Sequence, residues 1–139
     1  MVARKVKGVI FSDLGQASSF MTLEWVQQAL RESLGFAPFP ATLNVHPETG
    51  EDLQAWEALQ RELEGIPLES SVGGFCRARL FRVEIRKPVD ARPTTTKAAV
   101  LLPEVRDYPK NKIEIVAAVR LKDELGVEDG DQLTLEFLN

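Results

Sequence analysis

Thr42 and Asn44 are the residues of this sequence whose types and spacing most clearly suggest chemistry. They follow Pro38 and Pro40, which restrict the backbone and favour an extended approach. In a strand, side chains two positions apart point to the same face, so a hydroxyl and an amide oxygen would lie together while Leu43 points into a core. Such neutral oxygens can hold Mg²⁺ without cancelling its charge, which leaves the ion free to bind nucleotide phosphates. On the local pattern alone, ordinary polar residues at a strand end are the commoner explanation.

A second candidate is the loop that follows the first predicted strand, which ends near Phe11. This loop, residues 12–19, reads Ser-Asp-Leu-Gly-Gln-Ala-Ser-Ser. A loop of small and polar residues can present several backbone N–H groups to an anion. It has no Gly-Lys-Ser/Thr ending, so it is not a P-loop. A plain connection between a strand and a helix is the commoner explanation of such a loop.

Two helices are predicted between these polar segments and the later strands. The first has apolar residues at steps of three and four, Thr22 as N-cap and Gly35 as stop signal. Its apolar positions are Leu23, Val26, Leu30 and Leu34. The second covers residues 52–63 and is ended by Gly65 and Pro67. Its apolar positions are Leu53, Trp56, Leu59 and Leu63.

Alternating apolar residues predict strands in the second half of the chain, at about 76–85, 98–102, 112–117 and 133–137. The apolar phase changes at Leu80-Phe81, which predicts a β-bulge there. In the strand at 112–117, Ile113 and Ile115 should face one side and Glu114 the other. Many short strands with two helices and no βαβ rhythm predict a mainly β fold, a small β-barrel with helical excursions.

Composition narrows the class of protein. The 139 residues, 44% hydrophobic and 27% charged, predict one soluble domain over 1–139. A net charge of −4 argues against a large nucleic-acid-binding surface. Residues 77–97 are basic, which indicates either attraction of an anionic ligand or, more commonly, a solvated strand face. The single cysteine, Cys76, excludes an intramolecular disulfide, and no membrane span or apolar leader is visible, so we expect a cytoplasmic protein.

Taken together, the sequence resembles the archaeal CTP-dependent riboflavin kinases and the bacterial proteins that share their domain, along almost its whole length. The matching landmarks occur in order at residues 8–15, 34–44 and 113–117, and at 120–125 followed by 129–131. The resemblance implies a six-stranded cradle-loop β-barrel. It also implies transfer of the γ-phosphate of CTP to the 5′-hydroxyl of riboflavin, giving FMN and CDP, with Mg²⁺ as cofactor.

The resemblance assigns roles to individual residues. Thr42 and Asn44 correspond to the magnesium ligands, and Glu114 to a glutamate that is placed to contact the flavin and to accept the hydroxyl proton. A family threonine that contacts the flavin falls on Arg106, or on Tyr108 with a different gap. The loop that wraps the nucleotide corresponds to Asp13, Leu14, Gly15, Gln16, Ala17 and Ser18. The segment that lines the cytidine nucleotide, largely through its backbone, corresponds to Val119, Arg120, Leu121 and Lys122.

This chain departs from the family pattern in the nucleotide loop. Asp13 replaces the usual Gly, and Gln16-Ala17 replaces Glu-Gly, which restricts the close approach of backbone to phosphate. The alternative to an active kinase is therefore a flavin- or nucleotide-binding module with impaired catalysis on the same barrel. A DNA-binding role fits least, because the chain is acidic and has no basic arm.

Overall fold

A computed structural model describes residues 4–12, 21, 23–68, 77–87, 96–104 and 106–138. Within these ranges the chain forms seven strands and three helices. In chain order they are β1 (Lys5–Phe11), α1 (Glu24–Leu34), β2 (Leu43–Pro47), α2 (Gly50–Glu62), β3 (Ile66–Leu68), β4 (Ala78–Arg86), β5 (Thr96–Pro103), β6 (Ile113–Val116), α3 (Leu121–Leu125) and β7 (Gln132–Phe137).

The strands pair in the order β3-β4-β5-β6-β2-β1-β7, and β4 also pairs with β7. Every pairing is antiparallel. The additional pairing closes six strands into a barrel and leaves β3 outside it as an edge strand. The prediction of a mainly β, six-stranded barrel with helical excursions is therefore confirmed.

The barrel interior is filled by one face of each closing strand and by side chains from α2. Trp56 of α2 is 1% exposed. Its ring centroid lies 5.8 Å from that of Phe81 and 5.5 Å from that of Phe137. Contacts of this kind between aromatic rings stabilise the fold by more than the burial of their apolar surface alone. The helix between β2 and β3 thus completes the interior core.

A second apolar cluster covers the outer face of β4, β5 and β6. Helix α1 contributes Val26 and Leu30, and the strands contribute Leu80, Leu101 and Val116. The first part of β4, the middle of β5 and the whole of β6 are therefore buried on both faces. The predicted strand at 98–102 had this continuous apolar character, and it is confirmed as part of β5.

The predicted β-bulge at Leu80-Phe81 is wrong. The register of β4 against β5 runs without interruption from Ala78↔Pro103 to Ile85↔Thr96. Leu80 packs outward under α1 while Phe81 packs into the barrel. Two adjacent apolar residues thus reflect burial on both faces, not an inserted residue.

The helix boundaries differ by small amounts from the predicted ones. Helix α1 has Leu23 at its N-cap without a side-chain cap, and the predicted cap, Thr22, lies outside the described residues. Gly35 ends this helix in the left-handed conformation, as predicted. Helix α2 starts earlier than predicted, because Thr49 and Asp52 form a capping box.

Three basic side chains next to or within β4 hold the C-terminal ends of the three helices. Arg82 donates to the Ser33 carbonyl at 3.0 Å, at the end of α1. Arg79 donates to the Gln60 carbonyl of α2 at 3.0 Å. Lys87 donates to the Leu125 carbonyl of α3 at 2.7 Å. Cations are favourable at helix C-termini, where carbonyls lack intrahelical partners. These three residues of the basic region 77–97 therefore stabilise the helix ends.

Two further observations complete the fold. The edge strand β3, which contains Pro67, was not predicted from the sequence; proline is tolerated there because an edge strand has an unpaired side. No helix in the described ranges is long and apolar enough to cross a membrane.

Candidate active site

Thr42 and Asn44 lie at the start of β2 with their oxygens side by side. Thr42 directly precedes the strand, and its Oγ1 donates to Asn44 Oδ1 at 3.3 Å. Asn44 is buried, whereas Leu43 and Val45 belong to the barrel core. The predicted division of this segment into a polar and a core-facing side is therefore confirmed.

The two oxygens form a suitable partial site for Mg²⁺. In octahedral coordination with bonds of about 2.0–2.1 Å, neighbouring ligands lie about 2.9 Å apart. The observed separation of 3.3 Å between Thr42 Oγ1 and Asn44 Oδ1 is close to that spacing. Mg²⁺ usually takes few ligands from the protein and the rest from water and substrate phosphates. The residues present thus fit the predicted metal.

Glu114 lies next to Asn44 across the sheet. The register pairs Asn44 with Glu114, so their side chains project on the same side of the β2–β6 ladder. Glu114 is 5% exposed, which excludes the simple alternative of a solvent-facing strand glutamate. Tyr108 donates to Glu114 Oε2 at 2.7 Å, and Lys112 Nζ lies 3.7 Å from Oε1. A buried carboxylate with each oxygen facing a donor is held in a defined orientation.

A cavity of about 140 Å³ opens beside Thr42. Its walls include the four residues predicted to line the nucleotide, Val119, Arg120, Leu121 and Lys122. Leu121 is buried at the start of α3, whereas Val119 is 40% exposed. The fold therefore brings one predicted metal ligand and the predicted nucleotide segment to one cavity.

A polar cluster of Ser12, Lys122 and Asp129 lies at the end of β1. Ser12 donates to Asp129 Oδ2 at 2.5 Å, and Lys122 donates to Asp129 Oδ1 at 2.9 Å. The Ser12 hydrogen bond, and then the contact with Lys122, hold the pKa of the Asp129 carboxyl below its ordinary value. Ser12 directly precedes the predicted nucleotide loop, so this cluster connects the loop's start to residue 122.

The structure separates the two candidates for a flavin contact. Arg106 is exposed in the connection between β5 and β6. Tyr108, in the same connection, is half-buried and contacts Glu114. The predicted loop residues, Asp13, Leu14, Gly15, Gln16, Ala17 and Ser18, lie outside the described residues, as does Cys76.

Two site residues were not predicted from the sequence. Lys112 precedes Glu114 by two positions, and this spacing on a strand could have indicated a pair on one face. Asp129 is 117 residues from Ser12, and no local pattern indicates their contact. Only the tertiary structure brings them together.

Comparison with known proteins identifies the family of this chain. The family model CTP-dep_RFKase, described as "Domain of unknown function DUF120", matches residues 10–137. A protein named riboflavin kinase from Pyrobaculum arsenaticum is 34% identical over 134 residues, covering 96% of this chain and 60% of the relative. Its namesake from Pyrobaculum calidifontis is 35% identical over 132 residues, covering 95% and 59%.

A more distant archaeal genus gives a similar result. A riboflavin kinase from Archaeoglobus fulgidus is 30% identical over 138 residues, covering 96% of this chain and 54% of the relative. The chain thus spans somewhat more than half the length of these curated relatives. Since the family model covers all the barrel strands except the beginning of β1, the chain belongs to the CTP-dep_RFKase family.

Proposed function

We propose that this chain is a Mg²⁺-dependent riboflavin kinase that transfers the γ-phosphate of CTP to the 5′-hydroxyl of riboflavin, giving FMN and CDP. The observation that carries the proposal is the register of β2 against β6, which sets Asn44 beside the buried Glu114. A candidate metal ligand and a candidate base thereby share one face. Pairing of β1 with β7 joins the first and last described strands, which supports one domain over residues 1–139.

Phosphoryl transfer depends mainly on positioning and on neutralising the charge of the phosphates. Thr42 and Asn44 would hold the metal with neutral oxygens. When bound, Mg²⁺ supplies positive charge to phosphate oxygens and orients them. Residues 119–122 would line the nucleotide in the cavity next to Thr42, and residues 13–18 would wrap its phosphates, as the resemblance implies.

Glu114 would receive the proton of the riboflavin 5′-hydroxyl. The hydroxyl oxygen forms a bond to the γ-phosphorus, the bond from that phosphorus to the oxygen bridging to the β-phosphate breaks, and CDP leaves. Because Tyr108 and Lys112 face different oxygens of Glu114, they would fix the direction of the carboxylate towards the incoming hydroxyl. Tyr108 is the better placed of the two candidate flavin contacts, since Arg106 is exposed.

Incubation of the purified chain with riboflavin and either CTP or ATP, with Mg²⁺ or with excess EDTA, tests the proposal. FMN, separated by chromatography and detected by its fluorescence, should form with CTP and Mg²⁺ and not with EDTA. Formation with ATP alone would contradict the choice of donor. Binding of CDP or riboflavin by calorimetry without formation of FMN would contradict the kinase and support an impaired binding module.

A further inference from the structure

We propose that the Lys122 ammonium binds the phosphates of the nucleotide and that Asp129 is the positioning residue that holds it for them. This inference deepens the proposed function and rests on it. Lys122 lines the same cavity as Thr42, so its side chain starts at the wall where the metal and the nucleotide would meet. An ammonium group at this wall would neutralise negative charge on the phosphates of a bound nucleotide.

The contacts of Asp129 are divided between its two oxygens. Oδ1 accepts from Lys122 at 2.9 Å and Oδ2 accepts from Ser12 at 2.5 Å. Lys122 Nζ also lies 3.4 Å from Ser12 Oγ. The three side chains form a closed triangle, although Ser12 is 110 and 117 residues from the other two. One carboxylate thus connects Ser12, which precedes the predicted nucleotide loop, to Lys122 in the segment predicted to line the nucleotide.

The turn that carries Asp129 is itself attached to the barrel. Gly130 N–H donates to the Ile10 carbonyl at 2.8 Å, and Ile10 N–H donates to the Asp131 carbonyl at 2.9 Å. Asp131 also accepts from the Glu128 N–H at 2.9 Å. Gly130 has φ of 93°, a conformation that favours glycine. Asp129 is therefore a fixed point of the barrel, against which the flexible stem of Lys122 is oriented.

The contacts among Ser12, Lys122 and Asp129 add little to the stability of the fold. Ser12 and Asp129 are exposed and Lys122 is half-buried, and solvent screens ion pairs at such sites, so this one contributes little to the free energy of unfolding. Electrostatics gives a second argument: a carboxylate near a nucleotide repels phosphates, so its removal should tighten nucleotide binding if it only contributes charge. If it positions Lys122, its removal should weaken binding in spite of the reduced repulsion. The two roles predict opposite signs.

The test measures calorimetric Kd values for CDP with Mg²⁺, and KM values for CTP and riboflavin, in four proteins besides the wild type. These are Asp129→Asn, Lys122→Gln, the double variant and the control Glu136→Gln. Glu136 also faces two cations, Lys5 at 3.9 Å and Arg86 at 3.7 Å. It pairs with Lys5 at the start of β1, whereas Ser12 follows the end of that strand.

We expect Asp129→Asn to raise the Kd for CDP and the KM for CTP about ten-fold, with the KM for riboflavin unchanged within about two-fold. Lys122→Gln should have a similar effect, and Asp129→Asn should add less than about two-fold to it, because positioning acts through the lysine. Glu136→Gln should match the wild type.

Three results would overturn the inference: tighter or unchanged CDP binding in Asp129→Asn, an equal effect with and without Lys122, or an equal rise of both KM values. Failure of the proposed function has a different signature. A wild type that binds CDP but makes no FMN refutes the kinase while the Kd comparison still tests Asp129. A wild type that does not bind CDP overturns both proposals.

Discussion

Gly8 is the position where the structure predicts the sharpest effect of a single methyl group. An ideal Cβ at Gly8 would lie 2.9 Å from Val45 Cγ2, 3.0 Å from Val45 Cβ and 3.3 Å from the His46 carbonyl oxygen. Val45 is fully buried in the barrel core, so it has little room to move. Gly8→Ala should therefore push β1 away from β2, the strand whose start carries Thr42 and Asn44.

The magnitude follows from two opposing terms. Overpacking in a well-filled core costs about 1–3 kcal/mol. Replacing glycine by alanine recovers about 0.4–1 kcal/mol, because the unfolded chain loses conformational freedom. The middles of these ranges, about 2 and about 0.7 kcal/mol, leave a net loss of about 1–2 kcal/mol. With an unfolding entropy of about 2.1 cal/mol/K per residue, this corresponds to a fall in Tm of about 3–7 °C.

Gly50→Ala is the matched control for this substitution. Gly50 is the first residue of α2, and a Cβ there would meet nothing within 4 Å. The same change should stabilise the protein by about 0.4–1 kcal/mol. Urea unfolding followed by circular dichroism measures both variants, and an unchanged m-value shows that the midpoints can be compared directly. If Gly8→Ala were as stable as Gly50→Ala, the inferred close packing of β1 on β2 would be refuted.

Three further predictions concern the candidate site. Asn44→Ala should abolish Mg²⁺-dependent formation of FMN while leaving the circular dichroism spectrum unchanged; undiminished turnover would remove Asn44 as a metal ligand. Glu114→Gln should lower kcat about 10²-fold or more with little change in the Kd for CDP, as loss of a general base does, and the exposed control Glu62→Gln should stay fully active. The lowered pKa of Asp129 stabilises the fold above its ordinary value of 3.8 and ceases to do so as pH falls through the lowered pKa. Because this carboxylate is exposed, we expect only a slightly less steep acid-unfolding profile in Asp129→Asn, followed by circular dichroism, and a steeper profile than that of the wild type would contradict the lowered pKa.

Most strands of the barrel could be predicted from the sequence, because apolar and polar residues alternate strongly along them. The failures arose where burial departs from alternation. At Leu80-Phe81, burial on both faces imitated a bulge. Strand β3 has three residues with a proline in the middle, too little for a periodic signal. The start of α2 was missed although Thr49 and Asp52 have the spacing of a capping box.

The candidate site was predictable where it depends on one segment. Thr42 and Asn44 share a face because strand geometry requires it. The pairing of Asn44 with Glu114 depends on how β2 meets β6, which local patterns do not determine. The contact of Tyr108 with Glu114 depends on the path of the connection before β6.

The attachment of all three helix ends by Arg79, Arg82 and Lys87 has a consequence for cooperativity. A shift of β4 by one residue would turn its side chains to the other face and would release α1, α2 and α3 together. The stability of each helix end is therefore coupled to that of the other two. We expect the C-terminal turns of the three helices to unfold together when β4 leaves its register.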